Sequence, residues 1–99
     1  MKHYVLLKFD PNYYCEDVFN YARKVFSDIS NTLEDIQNVN IYKNCVNRDS
    51  NMDIMIEMDF KNKNALTSYL EHDLHKDFVD VVDKHLILRV SFDCEEIKY

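Results

Sequence analysis

The spacing of apolar and polar positions changes several times along this chain, and each change marks an element. Residues 3–9, His-Tyr-Val-Leu-Leu-Lys-Phe, have the β-branched and aromatic content of a strand. Period-two alternation puts His3, Val5, Leu7 and Phe9 on one face and Tyr4, Leu6 and Lys8 on the other. Asp10-Pro11 ends the strand, because proline brings no amide hydrogen to a ladder. From Cys15 to Leu33 the step becomes three and four, through Val18, Ala22, Val25, Ile29 and Leu33, with Phe19 and Phe26 widening the stripe. That spacing predicts an amphipathic helix. A second strand is expected over 38–46, through Val39, Ile41, Tyr42 and Cys45, followed by the polar turn Asn47 to Asn51. The third, over 53–60, turns Ile54, Ile56, Met58 and Phe60 one way and Asp53, Met55, Glu57 and Asp59 the other. The run from Lys61 to Asn64 can cap a short helix carrying Ala65, Leu66, Tyr69 and Leu70. A further helix, His75 to Lys84, presents Phe78, Val79, Val81 and Val82. A last strand, Leu86 to Phe92, sets Leu86, Leu88, Val90 and Phe92 against Ile87, Arg89 and Ser91.

The order β-α-β-β-α-α-β is of the α+β class. It predicts a ferredoxin-like, four-stranded antiparallel sheet with helices on one face, residues 1–99 forming a single domain. On the opposite face Tyr4, Leu6, Met55 and Ile87 are expected between Lys8, Glu57 and Arg89. A face that apolar needs a cover, and the chain has no spare element to supply one. The expected partner is therefore a second copy: a homodimer through the sheet face, closing a dimeric α/β barrel. Lys8, Glu57 and Arg89 would pair inside it or at its rim.

Composition narrows the field. A formal charge of -6 disfavours nucleic acid as a partner, since phosphates call for clustered Lys and Arg. The longest apolar run, Tyr4 to Leu7, is far short of a bilayer span, and no secretory leader pattern opens the chain. The expectation is a cytoplasmic protein with no membrane partner. Glycine is absent, which excludes the glycine-rich cradles of dinucleotides and of P-loops. Positive-φ positions then fall to asparagine and aspartate. Cys15, Cys45 and Cys94 are too widely spaced for a zinc knuckle or a redox pair, and read as reduced thiols packed as small hydrophobes.

Candidate chemistry gathers around histidine. His3 shares a face with Val5, Leu7 and Phe9, where an imidazole needs a partner or a wet pocket. In Tyr69-Leu70-Glu71-His72-Asp73-Leu74-His75, helical spacing makes Tyr69 and His72 neighbours, and likewise His72 and His75. Imidazole serves as acid and base near neutrality, and a phenol can polarise a carbonyl or hold an enolate. Such a group around an apolar cavity suits proton abstraction next to a carbonyl. The plainer reading is that histidines at a helix junction cap helix ends. A metal set of Glu71, His72, Asp73, His75 and Asp77 matches no strong motif, so no metal is expected.

Two stretches carry a family resemblance: Lys2 to Phe9, and Asp59-Phe60 through Ala65-Leu66-x-x-Tyr69-x-x-His72-x-x-His75-x-x-Phe78-Val79. Together they resemble the stress-responsive α/β-barrel domain (Dabb) family over essentially the whole chain. The resemblance implies a ferredoxin-like subunit and a homodimer joined through the sheets. It also implies an association with stress response in some plant members. The family includes a plant polyketide cyclase that closes a ring by aldol chemistry without a cofactor. Its acid-base residues fall on His3, Tyr69 and His75 here, and His72 matches a histidine with a structural role. His72 and Phe78 are carried as expected substrate contacts. The chain departs from the family pattern at Asp73, where proline is usual. The resulting expectation is a cofactor-free protein that binds a small carbonyl compound between sheet and helices. Its alternative is a non-enzymatic stress or assembly protein whose histidines are structural.

Overall fold

A computed structural model describes residues 1–98; residue 99, the last of the expected domain, lies outside the described residues. Strand β1 (Lys2–Phe9) is followed by helix α1 (Glu16–Thr32), strands β2 (Ile36–Lys43) and β3 (Ile54–Phe60), helices α2 (Lys63–Glu71) and α3 (Asp73–Val82), a 3-10 turn (Asp83–His85) and strand β4 (Leu86–Cys94). The four strands form one antiparallel sheet in the order β2-β3-β1-β4. This is the ferredoxin-like α+β fold expected from the element order. All three helices lie on one face. Leu7, Phe9, Ile54, Ile56, Met58 and Phe60 of the central strands are buried there against Phe19, Ala22, Phe26 and Ile29 of α1. The body measures 39 × 35 × 19 Å, so its short axis holds one sheet and one helix layer.

The helix ends explain the boundaries. Asn62 accepts the amide of Ala65 at 2.9 Å and starts α2. His72 closes α2 and opens α3: its extended backbone breaks the helix, and its Nδ1 accepts the amide of Leu74 at 3.1 Å. Helix α3 therefore begins two residues before the expected His75. Asp73 takes its first position, where proline is favoured for its fixed φ and an acid for the helix dipole. The departure from the family's proline thus keeps a residue suited to a helix start. Val81, expected on the packed side of α3, is exposed, while Phe78 and Val82 are buried.

Strand β2 starts two residues earlier than expected because Ile36 is buried opposite Phe60. An irregularity then falls between Gln37 and Asn40, and Asn38 takes φ 52°, the one positive φ among the described residues. Its side chain donates to Asp59 at 2.8 Å. Cys45 falls outside the strand. The expectation that the cysteines pack as small hydrophobes fails for two of the three: Cys15 at the head of α1 and Cys45 in the β2–β3 loop are exposed.

The larger correction concerns β4. The pairs His3–Asp93, Val5–Ser91 and Leu7–Arg89 put Arg89, Ser91 and Asp93 on the helix-facing side. The pairs Tyr4–Phe92, Leu6–Val90 and Lys8–Leu88 turn the apolar set outward. A register shift where Lys8 and Phe9 meet Leu88 and Leu86 makes Ile87 the extra residue, so Leu86 packs on the core while Leu88 faces away from it. Arg89 therefore does not join Lys8 and Glu57 on the outer face, and Lys8 instead donates to the Asp49 carbonyl. Leu88, Val90 and Phe92 are 49%, 44% and 62% exposed.

His72→Ala is expected to lower stability by about 1 kcal/mol, the usual value of such a cap, and His72→Asn to restore most of it. Urea melts of the two variants, read as midpoint shifts at constant slope, check this.

Candidate functional site

A cavity of about 220 Å³ opens between the β1/β4 side of the sheet and helices α2 and α3. Its wall includes His3, Tyr69, His75 and Phe78, so four of the five residues expected at the site meet in one volume. The fifth, His72, lies off that wall, its Nδ1 engaged at the helix junction. Val5, Leu7, Ile56, Leu66 and Val79 supply apolar lining, and β4 contributes Arg89, Ser91 and Asp93. An engineered apolar cavity of about 150 Å³ takes benzene, so this one has room for a ring with short substituents.

Each side chain is fixed by a local cause. His3 is held on the helix-facing side by the alternation of β1 and is almost fully buried. Its Nδ1 pairs with the Asp93 carboxylate, and its ring packs edge-on against Phe60 with centroids 5.5 Å apart. A carboxylate can only accept, so Nδ1 carries a hydrogen and the remaining nitrogen is turned to other use. Tyr69, on the inner side of α2, is buried against Phe60 at 5.4 Å and against the His75 ring at 4.6 Å. Burial pushes its phenol well above the usual range, with Arg89 pulling weakly the other way, so it stays a neutral donor.

His75 sits half-buried in the first turns of α3, where its Nδ1 meets the Leu70 carbonyl at 3.2 Å. A carbonyl only accepts, so Nδ1–H is the tautomer and Nε2 keeps its lone pair. Burial lowers the pKa of His75; the bond to Leu70 opposes this, and the charges of Arg89 and His3 add to it. The imidazole is therefore an unprotonated base at neutral pH. Phe78 backs the cavity, edge-on to Phe26 at 5.2 Å and stacked on Tyr21 at 5.9 Å. Among the described residues no three His, Cys, Asp or Glu side chains are placed to hold a metal ion.

Asp93 and Arg89 were missed by the sequence reading. A signal existed for Asp93: a histidine on a buried face needs a partner, and the neighbouring edge strand carries a carboxylate at its far end. Arg89 had none, because its face depends on the bulge at Ile87.

The sequence profile of the stress responsive A/B barrel domain, Dabb, matches residues 1–96. The chain belongs to the Dabb family. Among solved structures, this Dabb chain is similar to a dimeric protein of unknown function with a ferredoxin-like fold from Bacteroides fragilis. That pair has 20% identity and a TM-score of 0.83, covering 96% of this chain and 94% of the other. It is similar to a Dabb family protein from Mesorhizobium loti, with 16% identity and a TM-score of 0.76 over 98% and 96% of the two chains. Hydroxynitrile lyase from Passiflora edulis matches at 8% identity and a TM-score of 0.76 over 99% and 95%. At these identities the likeness is one of fold. No curated protein matches the chain. Among the described residues of this Dabb protein, no helix is long and apolar enough to cross a membrane.

The lowered pKa of His75 sets a pH dependence. Below the ordinary imidazole range the unfolded chain binds a proton that the folded chain refuses, so stability rises with pH there. Acidification from about pH 7 to pH 5 is expected to lower the melting temperature, the span lying around the ordinary imidazole value of about 6.5. His75→Gln should flatten that part of the curve. Melting curves at stepped pH check this.

Proposed function

We propose that this Dabb chain works as a homodimer closed through its outer sheet face, and that each copy binds a small carbonyl compound in the cavity and moves a proton on it without a cofactor. The observation that carries the reading is His75, a half-buried imidazole whose Nδ1 is tied to Leu70 and whose Nε2 is left free as a base beside a neutral phenol. Nε2 takes the proton from the carbon next to the carbonyl. The Tyr69 hydroxyl donates to the carbonyl oxygen and holds the enolate as charge develops there. The enolate then attacks a second carbonyl carbon or takes the proton back, and His75 returns to its neutral form. His3, oriented by Asp93, exchanges protons at the other side of the bound molecule. A guest seated against the apolar walls displaces water and strengthens these interactions.

The homodimer rests on the outer face. Leu88, Val90 and Phe92 join Tyr4, Leu6, Tyr42 and Met55 there, and burying each large side chain is worth about 1.5–3 kcal/mol. The charges there are partly matched: Lys2 pairs with Asp59 at 3.1 Å, Asn40 donates to Glu57 at 3.0 Å, and Lys8 reaches a backbone carbonyl. In the dimer, Lys8 and Glu57 therefore take the rim or pair across the interface. The Bacteroides fragilis structure with this fold is described as dimeric, which supports the reading.

Two measurements test it. In D₂O, acetophenone with the wild-type protein is expected to lose its methyl proton signals faster than without it. His75→Gln should slow that exchange by about 100-fold or more, with Tyr69→Phe also impaired. Exchange unaffected by both substitutions would leave the histidines to a structural role. Sedimentation should give twice the chain mass for the wild type, and the single-chain mass for Val90→Asp.

A further inference from the structure

The inner face of β4 gives the cavity a chemical polarity that the His-Tyr-His group does not. Alternate residues Asp93, Ser91 and Arg89 run along one wall, paired across β1 with His3, Val5 and Leu7. Asp93 is committed to His3. Asp83, the only other carboxylate on the wall, heads the 3-10 turn and makes no ion pair with Arg89 among the described residues. The Arg89 guanidinium is thus the one cation of the cavity, at the opposite end of the β4 row from the His3–Asp93 pair. It lines the same cavity as Tyr69 and His75. Guanidinium is permanently charged and presents a planar fork of donors that matches a carboxylate.

We propose that Arg89 is a specificity-determining residue that selects carbonyl compounds bearing a carboxylate, the anion held at Arg89 and the carbonyl presented to Tyr69 and His75. This rests on the carbonyl-binding reading above and names its substrate class: oxo acids of about one ring in size, with the carboxylate remote from the reacting carbon. Ser91, between the two ends, faces the middle of such a molecule. The anion also offsets the one positive charge on the wall, which would otherwise face an apolar guest without a counter-charge.

Isothermal titration with 4-acetylbenzoate and its neutral analogue 4-acetylbenzamide tests this. The wild type is expected to bind the carboxylate about ten-fold tighter than the amide, as a charge-assisted pair would give, with the margin shrinking as salt is added. Arg89→Gln should erase the margin, through weaker binding of 4-acetylbenzoate; the side chain is exposed, and the melting curve checks that the variant folds. Equal binding of the two ketones by the wild type, or a margin that survives in Arg89→Gln, overturns the assignment of Arg89 while the carbonyl pocket stands. Failure of the wild type to bind either ketone overturns the pocket reading and this inference with it.

Discussion

One extra residue in an edge strand decides what both faces of this sheet are made of. Strand β4 enters with Leu86 on the core and, after the irregularity at Ile87, continues in the opposite phase. Without it, Leu88, Val90 and Phe92 would fill the space under α3, and Arg89, Ser91 and Asp93 would face outward. With it, the polar set lines a cavity and the apolar set is left bare. A one-residue slip flips every side chain of a strand, so a single bulge sets the lining of the cavity and the make-up of the outer face together. The two are linked by construction.

The same constraint explains what could and could not be read from the chain. The alternation of β3 is unbroken from Ile54 to Phe60, and the α1 stripe is regular, so both elements were legible to within a residue or two. His3 and Phe78 were legible on the packed faces of β1 and α3, whereas the grouping of His3, Tyr69 and His75 came from the family resemblance, because the break at His72 removes the helical spacing that would join Tyr69 to His75. β2 was misplaced by two residues because its bulge at Asn38 obscures the pattern and Ile36 lies before it. β4 was assigned the wrong face for a deeper reason. An alternating sequence states which residues share a side, but only the register with β1 states which side that is. Placing the apolar set inward is the sensible default for a sheet with one buried face, and it fails where the other face is also to be covered.

The helix junction shows how two similar residues come to differ in what their rings are free to do. His72 and His75 are three apart on paper, yet the chain breaks between α2 and α3 at the first of them. Its ring is spent on a backbone amide, whereas the second is tied to Leu70 on one nitrogen and free on the other. Burial, nearly complete at Tyr69 and partial at His75, favours the neutral form of each, and the charges of Arg89 and His3 push His75 the same way. A donor and an acceptor thus stand side by side.

His72 ends one helix and begins the next with no linker between them, and this leaves the roof of the cavity without slack. Tyr69 and Leu70 hang from one side of that joint, His75 and Val79 from the other. With no loop between them, α2 and α3 can move apart only by changing the backbone angles of His72 or by giving up its capping bond to the Leu74 amide. The spacing of Tyr69 and His75 across the cavity is therefore set by a residue that lies off the cavity wall itself.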